Sequence, residues 1–142
     1  MPAVAMTDNG NMFGAIEFYF ACKKAGIKPI VGMDAYLAPG SRLAKEGGKP
    51  SHTRIVLLAQ SYLGYQNLCR LSSMGYQEGF YYKPRIDYDI LKQYSEDVIA
   101  LTGGQFGDVP LAFLKSGEEL ALEKLKNLKD IFNDRLYLES CR

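Results

Sequence analysis

The sequence of 142 residues predicts an α/β fold, a mostly parallel sheet whose strands alternate with helices. Strand-sized apolar runs recur along the chain, and the stretches between them place apolar residues at helical spacing. Hydrophobic residues make up 47% of the chain, enough to bury the core of about one domain.

The elements follow in order. Residues 2–6 read as a strand, and the turn Asp8-Asn9-Gly10-Asn11 offers polar caps for a helix over 12–25 with Phe13, Ile16 and Phe20 on one face. Gly26 ends that helix, and 29–37 is a second apolar strand. The Gly- and Pro-rich stretch APGSRLAKEGGKPSHT reads as a surface loop leading to a strand over 55–59. GYQNLCRLSSMGY suits a short helix through Leu68 and Leu71, YYKPRIDYDILKQY a loop running into a helical turn, and 98–102 a fourth strand. Ser116 and Glu119 have the spacing of a capping box for a helix reaching Phe132, with Leu122, Leu125 and Leu128 placed for burial. A fifth strand is expected over 137–139.

Alternating strands and helices imply βαβ units, with chemistry in the loops at the strands' C-terminal ends. The Asp8 turn occupies such a place. The chain opens almost directly on a strand and closes on one, so it reads as a piece of a larger domain, and no internal repeat or low-complexity tract divides it.

Composition narrows the function. Seventeen basic and sixteen acidic residues give a net charge of +1, so any nucleic-acid surface has to be local. No apolar run is long enough for a membrane span and no leader pattern opens the chain, which predicts a soluble, cytoplasmic protein with no membrane partner. Cys22, Cys69 and Cys141 are odd in number and widely spaced, as plain thiols rather than a zinc or redox motif.

Three segments carry a resemblance to a known family. PAVAMTDNGNMFGAIEFYFACKKAGIKPIVGMDAYLAPGSR, LLAQSYLGYQNLCRLSSMGYQEGFYYKPRID and ALTGGQFGDV resemble successive parts of the PHP (polymerase and histidinol phosphatase) domain of the bacterial replicative DNA polymerase III alpha subunit. AGIKPIVG, GYQNL and YYKPRID are its most specific phrases. The resemblance implies an incomplete distorted (β/α)7 PHP-type barrel over 1–142, lacking the first and the closing strands and carrying no polymerase core. It implies as partners the remainder of the alpha subunit, the proofreading exonuclease subunit, and DNA through the parent protein. An open barrel also exposes edge strands that favour self-association.

The resemblance also implies a site. Family members with an intact site hold divalent metals through His, Asp, Glu and Cys positions. Here Thr7 and Asp8 match a Thr-Asp-His turn, but Asn9 stands in place of its His. Asp34 stands for a Glu, Arg54 aligns with a frequent His, and Gly104 stands for a Cys. An amide is a poor ligand for zinc-like ions, a guanidinium repels a cation, and glycine offers no side chain. The five positions Asp8, Asn9, Asp34, Arg54 and Gly104 therefore read as a vestigial site with no catalytic residue and no cofactor. For Asp8 alone, helix capping is the simpler role, and for Asp34 a hydrogen bond or salt bridge.

Outside that site, His52 reads as a solvated loop residue, and GGKPS lacks the context of a phosphate-binding loop. Lys83 and Arg85, interleaved with tyrosines, suit a nucleic-acid contact or, more plainly, a packed loop with Arg85 in an ion pair. The expected function is a metal-free structural part of the polymerase subunit in chromosomal replication. The alternatives are a metal-dependent phosphoesterase or 3′–5′ proofreading exonuclease of the same fold, and a free-standing small-molecule phosphatase.

Overall fold

The computed structural model describes residues 1–45, 48 and 51–140. They form β1 (Ala3–Asn9), α1 (Ala15–Lys24), β2 (Lys28–Leu37), β3 (Thr53–Ala59), α2 (Tyr62–Gln77), β4 (Phe80–Tyr81), β5 (Lys83–Ile86), α3 (Tyr88–Gln93), β6 (Val98–Leu101), α4 (Asp108–Ser116), α5 (Glu118–Phe132) and β7 (Leu136–Tyr137), with short 3₁₀ turns at Gly104–Phe106 and Asn133–Arg135. All the strands belong to one sheet. The GGKPS segment lies almost wholly outside the described residues, as does Cys141, while Cys22 and Cys69 are free thiols.

β2 is the hub. Ten residues long, it carries β1 in parallel along Lys28–Asp34 and β5 in parallel at Tyr36 and Leu37, with β3 antiparallel on its other edge. β6 pairs antiparallel with β3, β7 parallel with β6, and β4 antiparallel with β5. Strands β1, β2, β5, β6 and β7 thus point one way, and β3 and β4 run against them. The expectation of a mostly parallel α/β sheet holds in that sense, while the reversal of β3 was not foreseen. Its cause lies in the connection: a parallel return requires a crossover, usually helical, and the chain between β2 and β3 supplies no described helix.

The core lies between the sheet and α2, α3 and α5. Met33, Ala35 and Leu37 from β2 meet Ile55 and Leu57 from β3, Leu68 and Leu71 from α2, Ile90 and Leu91 from α3, and Leu128 and Phe132 from α5. Alternation along β2 and β3 sends the intervening residues Asp34, Tyr36, Arg54 and Val56 to the opposite face.

Several local expectations shift. β1 extends through Asn9, and α1 begins at Ala15, because Asn11 rather than Asn9 organises the turn: its side chain donates to the Asn9 carbonyl at 3.1 Å and accepts from the Phe13 amide at 3.0 Å. Phe13 falls outside the helix, and Phe13, Ile16 and Phe20 are exposed rather than buried. Ser116 closes α4 instead of capping α5, and Gly117, at φ 90°, separates the two helices. Leu128 is buried as spaced, whereas Leu122 is largely exposed. The YYKPRI segment is the β4–β5 hairpin rather than a loop, with Tyr82 between the two strands at φ 60°. α4 was not foreseen, although Asp108 and Pro110 in its first turn are the expected chemistry of a helix start.

Two polar clusters join the elements. Arg42 donates to Glu78 and to Asp87, and Asp87 also accepts from the Arg42 and Ile90 amides, so one buried carboxylate holds the post-β2 loop and caps α3. Asp108 accepts from the Tyr88 hydroxyl at 2.6 Å and from Thr53 at 3.2 Å, and pairs with Lys124 at 3.2 Å. Burial, and after it the Asp108 charge, pushes the Tyr88 hydroxyl well above the ordinary tyrosine range.

Because Phe132 is fully buried at the end of α5, Phe132→Ala is expected to destabilise the fold by about 3–5 kcal/mol, while exposed Leu122→Ala stays under about 1 kcal/mol. Urea unfolding read at the transition midpoint, with the slope unchanged, checks both.

Candidate functional site

The site forms at the end of the sheet where β1 and β2 finish and reversed β3 starts. Asn9 on β1 lies opposite Asp34 on β2, and Arg54 on β3 lies opposite Tyr36. Arg54 also bridges to Gly107, whose amide donates to the Gly104 carbonyl, so the turn after β6 closes onto the same end. Four of the five anticipated positions, Asn9, Asp34, Arg54 and Gly104, therefore converge from distant parts of the sequence.

Asp8 belongs to the same end but to the other face. It lies opposite core residue Met33, and strand alternation turns its side chain away from the Asn9 and Asp34 face. Its Oδ2 accepts from the Gly14 amide at 3.2 Å, at the N-cap of α1. Asp8 thus serves the helix start from the strand, six residues upstream, rather than from within the turn.

The centre of the site is an ion pair. Arg54 Nη1 lies 2.8 Å from Asp34 Oδ2, and both side chains are mostly shielded from solvent. Burial raises the Asp34 carboxyl above its ordinary value, against the opposing charge and hydrogen bond of Arg54. The second oxygen, Oδ1, is buried and has no partner among the described residues. The site is tightly built around its backbone: Gly10 sits at φ 70°, and a Cβ there would stand 2.9 Å from both the Tyr36 ring and Pro84. On the loop side, the Gly103 amide donates to the Glu139 carboxylate at 2.6 Å.

As donors for a divalent cation these side chains do not fit. The Asp34 carboxylate is engaged by a fixed positive charge, Asn9 offers a weak amide oxygen, Gly104 offers nothing, and Asp8 faces the other way. Among the described residues no three His, Cys, Asp or Glu side chains gather in metal-ligating geometry.

His52 is not a solvated loop residue. Its ring packs edge-on against Tyr36 with centroids 4.8 Å apart, and its buried Nδ1 has no partner among the described residues. Burial, followed by the charges of Arg54, Lys83 and Arg85, lowers its pKa, so the imidazole is neutral. Arg85 is buried and makes no ion pair among the described residues; it donates to the carbonyls of Gly79, Arg42 and Ala44 beneath the Tyr81 ring. Lys83 stays at the surface over the Tyr36 ring. Residue reasoning passed over Tyr36, Phe106 and Glu139, and only the β2–β3 register and the turn after β6 reveal them.

Arg54→Met leaves Asp34 buried without its counter-charge, so it is expected to destabilise the protein at neutral pH, with the loss shrinking on acidification. A carboxyl whose folded-state pKa lies above its unfolded value gives stability that declines as pH rises through that window, and removal of Arg54 widens the window upward. Urea midpoints of variant and parent between about pH 7 and about pH 4 check the sign. Asp8→Ala is expected to cost about 0.5–2 kcal/mol as a lost helix cap, in the same assay.

Comparison with known proteins agrees with this architecture. The family model described as the PHP domain matches residues 1–142. The chain is 48% identical over 141 residues to the DNA polymerase III subunit alpha of Chlamydia pneumoniae, covering 98% of this chain and 11% of that protein. It is 45% identical to the DNA polymerase III subunit alpha of Thermus aquaticus, covering 97% of this chain and 12% of that protein. It is 47% identical to that of Aquifex aeolicus over 96% of this chain and 12% of the relative. The chain therefore spans about a tenth of the length of these relatives, and no described helix is long and apolar enough to cross a membrane. With a match along its whole length and an α/β sheet that assembles the family's site positions at one end, this chain belongs to the PHP domain family.

Proposed function

We propose that this chain acts in chromosomal DNA replication as part of the PHP domain of a DNA polymerase III alpha subunit, and that it does so as a metal-independent scaffold in the cytoplasm. The observation that carries the reading is the Asp34–Arg54 pair, a fixed cation engaging the carboxylate at a position where intact family members use a ligand. Hydrolysis of a phosphoester by this fold depends on metal-activated water, and the residues at this site do not supply the ligands. The names and high identity of the relatives support the polymerase branch over a free-standing phosphatase.

In this reading the chain is a segment of a distorted (β/α)7 barrel, and its partners are the remainder of the alpha subunit and, through a surface contact, the proofreading exonuclease subunit. DNA is reached mainly through the parent protein. The free edge of β1 and the exposed apolar residues Phe13, Ile16 and Phe20 on and beside α1 support pairing with further polypeptide, or with a second copy when the chain is isolated.

Elemental analysis of the purified chain after dialysis against trace zinc and manganese is expected to give far below one metal per chain, and Asn9→His alone is expected not to restore binding. Retention of about one equivalent or more overturns the scaffold reading. In a full-length polymerase carrying this segment, Asp8→Ala combined with Asp34→Ala is expected to leave primer extension nearly unchanged. Selective loss of mismatch removal in that double variant favours the exonuclease alternative.

A further inference from the structure

The side chains around Tyr36 form an alternating row of cations and rings. The Lys83 ammonium lies 5.6 Å from the Tyr36 ring centroid and the Arg54 guanidinium 5.6 Å from the same ring, while Arg54 is also 5.7 Å from the Phe106 ring. His52 seals the edge of Tyr36, so this ring is buried and spaces the two cations rather than offering a surface. Phe106 is different: 55% exposed, it presents apolar ring surface to solvent at the end of the row.

The cations at the two ends of Tyr36 keep unused capacity. Lys83 is exposed and has no carboxylate partner among the described residues. Arg54 gives Nη1 to Asp34, while its Nη2 and Nε donors have no partner among the described residues. The nearby acids are Asp34, engaged by Arg54, and Glu139, engaged by the Gly103 amide. A neutral His52 adds no competing donor charge. Two cations with free donors next to one exposed aromatic face are the components of a site that holds a phosphodiester and stacks a base.

We propose that Lys83, Arg54 and Phe106 bind single-stranded nucleic acid at the open end of the sheet, with Lys83 and Arg54 on a backbone phosphate and Phe106 stacked on the adjoining base. The site differs from the Lys83–Arg85 pair suggested by the sequence, because Arg85 is committed to backbone carbonyls. It requires no metal and stands on these side chains alone, so it holds or fails separately from the scaffold reading.

The test is fluorescence anisotropy of a labelled oligothymidylate of about twelve nucleotides with the full chain at low salt. Lys83→Glu is expected to weaken binding about tenfold or more and to flatten the salt dependence, whereas Lys83→Arg retains it. Phe106→Ala is expected to weaken binding about fivefold to a hundredfold, as loss of one stacking platform. Lys24→Glu, at the far end of α1, is expected to change binding little, and a duplex of equal length to bind more weakly because its base faces are covered. The proposal is overturned if Phe106→Ala binds like the parent, if Lys24→Glu weakens binding as much as Lys83→Glu, or if duplex and single strand bind alike. Lys83 and Phe106 are both exposed, so an unchanged thermal transition in each variant separates lost binding from lost folding.

Discussion

The antiparallel ladder between β2 and β3 is the constraint on which the site depends. It runs from Gly32 opposite Leu58 to Leu37 opposite Thr53, so the start of β3 lies beside the end of β2. Were β3 parallel to β2, the start of β3 would lie at the far end of the sheet and Arg54 would not reach Asp34. The register matters as much as the direction. A slip by one residue would send Arg54 to the core face among Met33, Ala35 and Leu37, where an unpaired guanidinium is not tolerated. Burial of Leu57 and Ile55 on the core face therefore fixes the electrostatics of the other face.

The pair formed in this way has opposing terms. Taking both charges partly out of water has a cost, visible in the upward pull that burial exerts on Asp34, and one carboxylate oxygen stays without a partner. Against that stand a hydrogen-bonded contact at 2.8 Å and two aromatic faces for the guanidinium. Such a pair is weak evidence for net stability, but removing either partner strands the other. A cation carried by the protein also needs no loading from solution, so the end of the sheet keeps its charge balance in a scaffold exposed to varying metal supply.

Much of this was readable in the sequence, for identifiable reasons. β1, β2, β3 and β6 are apolar runs long enough to announce themselves, and Leu68, Leu71 and Leu128 follow helical spacing into the core. The convergence of Asn9, Asp34, Arg54 and Gly104 came from family resemblance, since nothing local links residues so far apart. What was misread depended on pairing partners. β4 and β5 are too short to show a period and exist because β5 docks on the last two residues of β2. Phe13, Ile16 and Phe20 look like a buried helix face by spacing alone, yet the fold leaves them exposed. His52 lies in a polar stretch whose composition suggests solvent, and Tyr36 across the sheet draws it in. Arg85 seemed a surface cation because its destinations, the carbonyls of Arg42, Ala44 and Gly79, carry no sequence signal.

Three polar clusters close the same end of the sheet and together explain how it keeps its shape without an inorganic cross-link. Asp34–Arg54 ties β2 to β3, Arg42 with Asp87 and Glu78 ties the post-β2 loop to α2 and α3, and Asp108 with Tyr88, Thr53 and Lys124 ties α4 to α3, β3 and α5. In each, a shielded carboxylate gathers donors from separate elements, which is also the geometric task of a metal in a closed structural site. The analogy has a physical limit, since each ion pair is directional and joins fixed partners, whereas a cation can exchange ligands during turnover. A sheet end pinned by three such carboxylates is therefore suited to holding a surface in place, with the remaining donors of Lys83 and Arg54 as its outward-facing charge.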